Sequence, residues 1–174
     1  QLQAQPGHRI ERRLIGHVFA SLVSALLSEL AADKPLLILD GLDKLPPDQA
    51  KTFFLVGSDY IWPRTSMKIA RKHIESVGKL GSVVGEEYYP LGHTNFNSLI
   101  NKIKVAKPDC IFAAVVGGSN VAFYKQLKAA GITGDKQFLL TLSVTEDEML
   151  GVGGENFAGF YSSMKYFQSL TNDN

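Results

Sequence analysis

Two rhythms of apolar residues alternate along this 174-residue chain. Near the amino end, Leu14, Ile15, Val18, Phe19, Leu22, Val23, Leu26, Leu27 and Leu30 recur in pairs every four residues, opposite Arg12, Arg13, Ser21, Ser24 and Ser28. That spacing predicts one helix with a broad apolar face. Asp33-Lys34-Pro35 ends it, and Leu36-Leu37-Ile38-Leu39 is a short all-apolar run, as in a strand buried on both faces. Asp40-Gly41-Leu42-Asp43 then turns the chain, and Pro46-Pro47-Asp48 makes a loop or a helix start. One helix and one strand cannot cover each other's apolar faces, so this piece needs a partner surface.

From Lys51 onward the alternation becomes regular. Phe53 to Val56 predicts a strand, which Gly57-Ser58-Asp59-Tyr60 leaves, and Thr65 is placed to cap a helix reaching Val77. Ser82-Val83-Val84 opens a second strand running to Tyr89. Asn95 starts a second helix with Phe96, Leu99, Ile100, Ile103 and Ala106 inward and Lys102, Lys104 and Lys107 outward. Cys110 to Val116 is a third, wholly apolar strand, and Gly117-Gly118-Ser119-Asn120 opens a third helix that Gly131 ends. Phe138 to Leu142 is a fourth strand, Thr145 and Glu148 begin a short acidic helix, and Phe157 to Tyr166 reads as extended. Strands alternating with helices require right-handed crossovers and a parallel sheet covered on both faces. The fold class is α/β, a three-layer βαβ parallel sheet preceded by an extra helix and strand. The chain divides into a helix–strand segment at 1–50 and a lobe at 51–174.

Composition narrows the function classes. Hydrophobic residues make up 45% and charged residues 20%, enough apolar surface to build a core. A net charge of +1 gives no field to gather phosphates, which argues against a polybasic nucleic-acid or membrane-surface protein. Cys110 is the one cysteine, so no intramolecular disulfide or multi-thiolate zinc site can form, and its apolar neighbours mark it as a small buried hydrophobe. Polar residues interrupt Leu14 to Leu30 and no small-residue cleavage site follows, so neither a signal peptide nor a membrane span is expected there. The start at Gln1 suits a piece of a longer chain.

In an open parallel sheet, ligands sit beyond the carboxyl ends of the strands. Those ends carry Ser58, Asp59 and Tyr60, then Gly117, Gly118, Ser119 and Asn120, then Ser143, Val144, Thr145 and Glu146. Hydroxyls, carboxylates and amides at two helix starts suit a small polar ligand gripped by hydrogen bonds. The plainer alternative makes Ser119 and Thr145 helix caps and Tyr60 loop packing. No catalytic set, cofactor loop or metal-ligand spacing emerges. His8, His17, His73 and His93 are scattered, no nucleophile elbow or Cys-x-x-Cys occurs, and Gly151-x-Gly153-Gly154 follows a helix instead of opening one. Leu36-Leu37-Ile38-Leu39-Asp40 resembles the Walker B strand of P-loop ATPases, but the phosphate-cradling Gly-x-x-x-x-Gly-Lys-Ser/Thr loop is absent from the sequence, so ATP hydrolysis is not expected.

Three stretches carry a stronger likeness: Phe54-Leu55-Val56-Gly57-Ser58-Asp59-Tyr60-Ile61-Trp62-Pro63-Arg64-Thr65, Gly85-Glu86-Glu87-Tyr88-Tyr89-Pro90-Leu91-Gly92-His93-Thr94-Asn95-Phe96, and Asn120 through Ile132. In that order they resemble the type 1 periplasmic-binding-protein family, in its branch for urea, short-chain amides and branched-chain amino acids. The resemblance covers residues 53–174 and implies the second lobe of a two-lobed receptor, non-enzymatic and cofactor-free, closing on a small ligand. It implies that Tyr60 lines the cleft and that Ser143 and Val144 approach the ligand. An ABC transporter permease or a fused signalling module is the implied partner. The likeness starts without a first lobe before Lys51 and stops before the return crossings, so low or absent affinity is expected of this piece alone. Two readings compete with a solute-binding lobe: a signalling ATPase fragment with the lobe as scaffold, and an interaction module that self-associates through exposed apolar faces. The family works in the periplasm, while the missing export signal suits the cytoplasm, so the sequence leaves both compartments open.

Overall fold

The computed structural model describes residues 50–77, 81–164 and 167–169. The helix expected at 14–30, the strand at 36–39 and the Walker B-like stretch therefore lie outside the described residues. Within them the chain runs β1 (Thr52–Ser58), α1 (Ile61–Lys72) with a π-helical turn at His73–Val77, β2 (Ser82–Tyr89), α2 (Asn97–Ala106), β3 (Cys110–Ala114), α3 (Ser119–Ala129), β4 (Phe138–Thr141), α4 (Glu146–Val152), α5 (Gly154–Phe157) and β5 (Tyr161–Ser162). The strands form one five-stranded sheet in the order β2-β1-β3-β4-β5, parallel at every pairing. This is the α/β sheet that the alternation predicts.

Strand alternation sorts the core into two layers. Phe53, Leu55, Cys110, Phe112 and Ala114 share one side with Met67, Ala70 and Ile74 of α1 and its π turn. Phe54, Val56, Ile111, Ala113 and Val115 face the other side, against Leu99, Ile100 and Ile103 of α2 and Phe123, Tyr124 and Leu127 of α3. Strand β1 lies between β2 and β3, and Phe53 through Ser58 are all buried. Burial of one such side chain, Leu55 for example, is worth about 1.5–3 kcal/mol. Cys110 is fully buried, and that burial pushes its thiol pKa up, as suits the small hydrophobe expected.

Three local expectations need correction. Helix α1 begins at Ile61, ahead of Thr65, with Tyr60 in extended backbone (φ −153°, ψ 179°) as its first flanking residue. Pro63 sits in the first turn, where no backbone donor is needed, so the helix can start early. Helix α2 begins at Asn97, two residues after Asn95, because Phe96 is drawn into the core and occupies the cap position. The stretch from Phe157 to Tyr166 is not one extended run. It opens on the end of α5, and strand pairing with β4 is confined to Tyr161 and Ser162.

The acidic start of α4 is built as expected. Thr145 and Glu148 form a capping box, the Thr145 backbone N–H donating to the Glu148 carboxylate at 2.7 Å. Gly85 lies against the Phe54 ring so closely that a Cβ there would sit 2.3 Å from it.

Candidate functional site

Because all strands run one way, the carboxyl ends of β1, β3 and β4 meet at one edge of the sheet. Serine hydroxyls stitch that edge together. The buried Ser58 Oγ accepts a hydrogen bond from the Val116 N–H at 3.1 Å, tying β1 to β3. Ser143 Oγ donates to the Val115 carbonyl at 2.5 Å and lies 3.3 Å from Thr141 Oγ1, tying β4 to β3. The Ser162 hydroxyl donates to the Val144 carbonyl, extending the chain of ties to β5. The Val144 side chain is fully buried in the core, so only its backbone stands at the edge.

Above this shelf lie the more accessible groups. Gly117 and Gly118 are exposed, and a Cβ on either would meet no atom within 4 Å. Gly117 has φ 61°, a left-handed conformation that favours glycine, and Gly118 leads directly into α3. Ser119 and Asn120 open that helix but are buried, and neither Ser119 Oγ nor the Asn120 side-chain amide has a hydrogen-bond partner among the described residues. Tyr60 is half-buried at the end of β1, its ring centroid 6.4 Å from that of Trp62.

The remaining predicted residue, Asp59, is already engaged. Its carboxylate accepts from Arg64 Nε at 2.5 Å, and this hydrogen bond holds the Asp59 carboxyl below its ordinary pKa while raising that of Arg64. The Asp59 N–H donates to the Tyr89 carbonyl at 2.6 Å. The Arg64 guanidinium lies 4.4 Å over the Tyr88 ring. Tyr88 donates its hydroxyl to Glu86 at 2.5 Å, and burial, reinforced by that carboxylate, raises the phenol pKa. Arg71 of α1 donates to the other Glu86 oxygen through Nε and Nη2, at 2.9 and 2.6 Å.

The eight predicted site residues thus share one edge, at different depths. Tyr60, Gly117 and Gly118 are accessible, Ser58, Ser119 and Val144 have buried side chains, Ser143 spends its hydroxyl on backbone, and Asp59 is paired. Sequence reasoning did not assign Arg64, Tyr88 or Glu86. A signal existed in the Asp59/Arg64 spacing across a short turn and in Glu86 and Tyr88 sharing one face of β2. The edge is an open wall that can stack an aromatic ring against a flat ligand and present backbone amides to it. A separate groove of about 520 Å³ flanks the sheet between β2 and α2, lined by Phe54, Val84, Glu87, Lys102 and Val105 among others. Its floor carries no residue of the strand-end set. Among the described residues no group of three or more His, Cys, Asp or Glu side chains comes together to hold a metal ion, and no helix is long and apolar enough to cross a membrane.

A family profile described as periplasmic binding protein domain matches residues 40–174. The match starts ahead of the boundary drawn at residue 50 and takes in Asp40. Among solved structures, an amino acid ABC transporter substrate-binding protein from Pseudomonas fluorescens Pf-5 superposes with a TM-score of 0.66 at 20% identity, over 76% of this chain and 35% of that one. A branched-chain amino acid ABC transporter periplasmic ligand-binding protein from Burkholderia xenovorans LB400 gives 0.62 at 17% identity, over 91% and 38%. A solute binding protein from R. palustris, in complex with 4-hydroxybenzoate, gives 0.54 at 23% identity, over 76% and 32%. The chain spans about a third of the length of each of these proteins.

Proposed function

Since the chain belongs to the periplasmic binding protein domain family, we propose that it supplies one lobe of a solute receptor, the substrate-binding component of an ABC-type transporter or sensor. In this reading Ser58, Asp59, Tyr60, Gly117, Gly118, Ser119, Ser143 and Val144 make one wall of the ligand site. Tyr60 and the Gly117–Gly118 backbone touch the ligand, while the serine ties and the buried Val144 hold that wall in shape from behind. The ligand is small and polar: urea, a short-chain amide, a branched-chain amino acid or an aromatic acid. The last class is added because a relative of this fold is solved with 4-hydroxybenzoate. Recognition is by hydrogen bonds and stacking, without bond-making chemistry. An ABC transporter permease or a fused signalling module is the partner that would read out occupancy, and residues 1–50 would form a separate segment ahead of the lobe.

The observation that supports this reading is that Tyr60 and the open Gly117–Gly118 turn follow the carboxyl ends of the adjacent parallel strands β1 and β3, at an edge that Ser58 and Ser143 cross-tie. Amide-detected NMR titration of the chain with urea, acetamide, leucine and 4-hydroxybenzoate tests it, because shifts register even millimolar binding. Saturable shifts centred on Tyr60, Gly117 and Gly118 for at least one ligand are expected, with loss in Tyr60→Ala. No saturable shift for any of the four, or shifts centred elsewhere, would overturn it. An ATPase fragment would instead respond to Mg-ATP, and nothing among the described residues favours that alternative.

A further inference from the structure

We propose that Asp59 and Arg64 are positioning residues, a clasp that closes the β1–α1 turn on the Tyr88 ring and thereby fixes Tyr60. The proposal rests on the reading of Tyr60 as part of the ligand wall and changes the role of Asp59 within it. The turn needs such a device. Tyr60 occupies the cap position of α1 and makes no side-chain cap hydrogen bond, so the helix start lacks the lock that Ser, Thr, Asp or Asn supplies there. The first backbone bond of the helix, Arg64 N–H to the Tyr60 carbonyl, is long at 3.3 Å.

The lock comes from one residue earlier. Asp59 and Arg64 close a ring of chain at 2.5 Å, with Pro63 inside it holding its own φ rigid. Arg64 in turn rests on Tyr88, whose hydroxyl is held by Glu86, itself held by Arg71. The turn is therefore anchored to the edge strand β2 through the Arg64 stack and, separately, through the Asp59 N–H to Tyr89. Asp59 and Arg64 remain 41% and 53% exposed, and exposed pairs add little to global stability. The effect of this pair falls on the local shape of the turn. A carboxylate already satisfied by Arg64 also has little left to offer a ligand directly.

Trp62, the one tryptophan of the sequence, lies inside the clasped ring and reports on it without any ligand. The test compares the full 174-residue chain with Asp59→Asn, Arg64→Ala, Arg64→Lys and the Asp59→Asn/Arg64→Ala double variant. It reads acrylamide quenching of Trp62, the urea unfolding midpoint, and affinity for whichever ligand shifts the NMR spectrum. Each of Asp59→Asn and Arg64→Ala should raise the quenching constant about twofold and weaken binding about threefold to tenfold, with the midpoint nearly unmoved and the double variant no worse than the worse single. Arg64→Lys, which keeps charge but loses the planar stack, should fall between. Unchanged quenching, or losses that add in the double variant, would overturn the clasp. Lost binding in Asp59→Asn with Trp62 unaltered would make Asp59 a ligand contact and also overturn it. If the parent chain binds none of the ligands, the receptor reading fails, and the quenching series alone still decides whether the clasp exists.

Discussion

Thr52 and Asp109 hold each other by both ends: the Thr52 hydroxyl donates to the Asp109 carboxylate at 2.8 Å and accepts from the Asp109 N–H at 3.0 Å. The same carboxylate oxygen also takes the backbone N–H groups of Lys51 and Thr52, both at 2.9 Å. The first residues of β1 are thus pinned to the residue before β3, the neighbouring strand.

These bonds, the Lys51 backbone donor foremost, hold the Asp109 carboxyl below its ordinary value of 3.8. A depressed folded pKa means that the stabilisation is present above the unfolded value and fades as pH falls through the folded one. Asp109→Ala should lower stability by about 1 kcal/mol at neutral pH, a figure already discounted for exposure, and by less near pH 3. Urea denaturation of both proteins at pH 3 and pH 7 checks this, and an equal loss at the two would contradict it.

Ser143 faces inward, its hydroxyl donating to Val115. Replacing it with alanine should cost about 1 kcal/mol of unfolding free energy, because the carbonyl of the buried Val115 loses its partner. Thermal denaturation of Ser143→Ala is the measurement. An unchanged midpoint would show that the tie does not hold β3 and β4 together.

Gly117 and Gly118 should respond differently although both face open space. Gly117 has φ 61°, so Gly117→Ala should cost about 1–2 kcal/mol of backbone strain. Gly118 has φ −60° and ψ −21°, which any residue adopts, so Gly118→Val should leave unfolding within about 0.5 kcal/mol while its side chain projects into the open space before the proposed ligand wall. Paired denaturation and ligand titration separate the two effects, and a Gly118→Val chain that binds as well as its parent would place the ligand elsewhere.

Gly85 leaves room for the Phe54 ring. Gly85→Ala would drive a Cβ to 2.3 Å from that ring and force β2 or Phe54 to shift, at a cost of about 1–3 kcal/mol. Chemical denaturation measures it, and a neutral result would mean that β2 yields freely at Val84, where its register shifts opposite Phe53 and Phe54 of β1.

The sheet was readable in the sequence because β1 and β3 are unbroken apolar runs that can be buried only between two helical layers. Helix starts were harder to read. Thr65 looks like a cap, yet Tyr60 takes the position because Pro63 tolerates the first turn and the chain leaves β1 too sharply for a longer loop. The serines at the strand ends were correctly placed at one edge, but their types alone could not show where the hydroxyls bond. Ser58 and Ser143 meet backbone atoms of β3's exit across sequence separations of 58 residues for Ser58 and 28 for Ser143. The Arg64–Tyr88–Glu86–Arg71 chain was hidden for a similar reason, since it joins two elements whose register is set by packing and not by local spacing.

Every strand pairing in this sheet is parallel, and that has a kinetic consequence. No two neighbours can zip up from a tight hairpin, so β1 and β3 cannot pair until the chain has closed a loop spanning Thr52 to Asp109, 57 positions apart. Refolding should accordingly run on a timescale of about milliseconds to seconds instead of microseconds, with β1 waiting longest for its second partner.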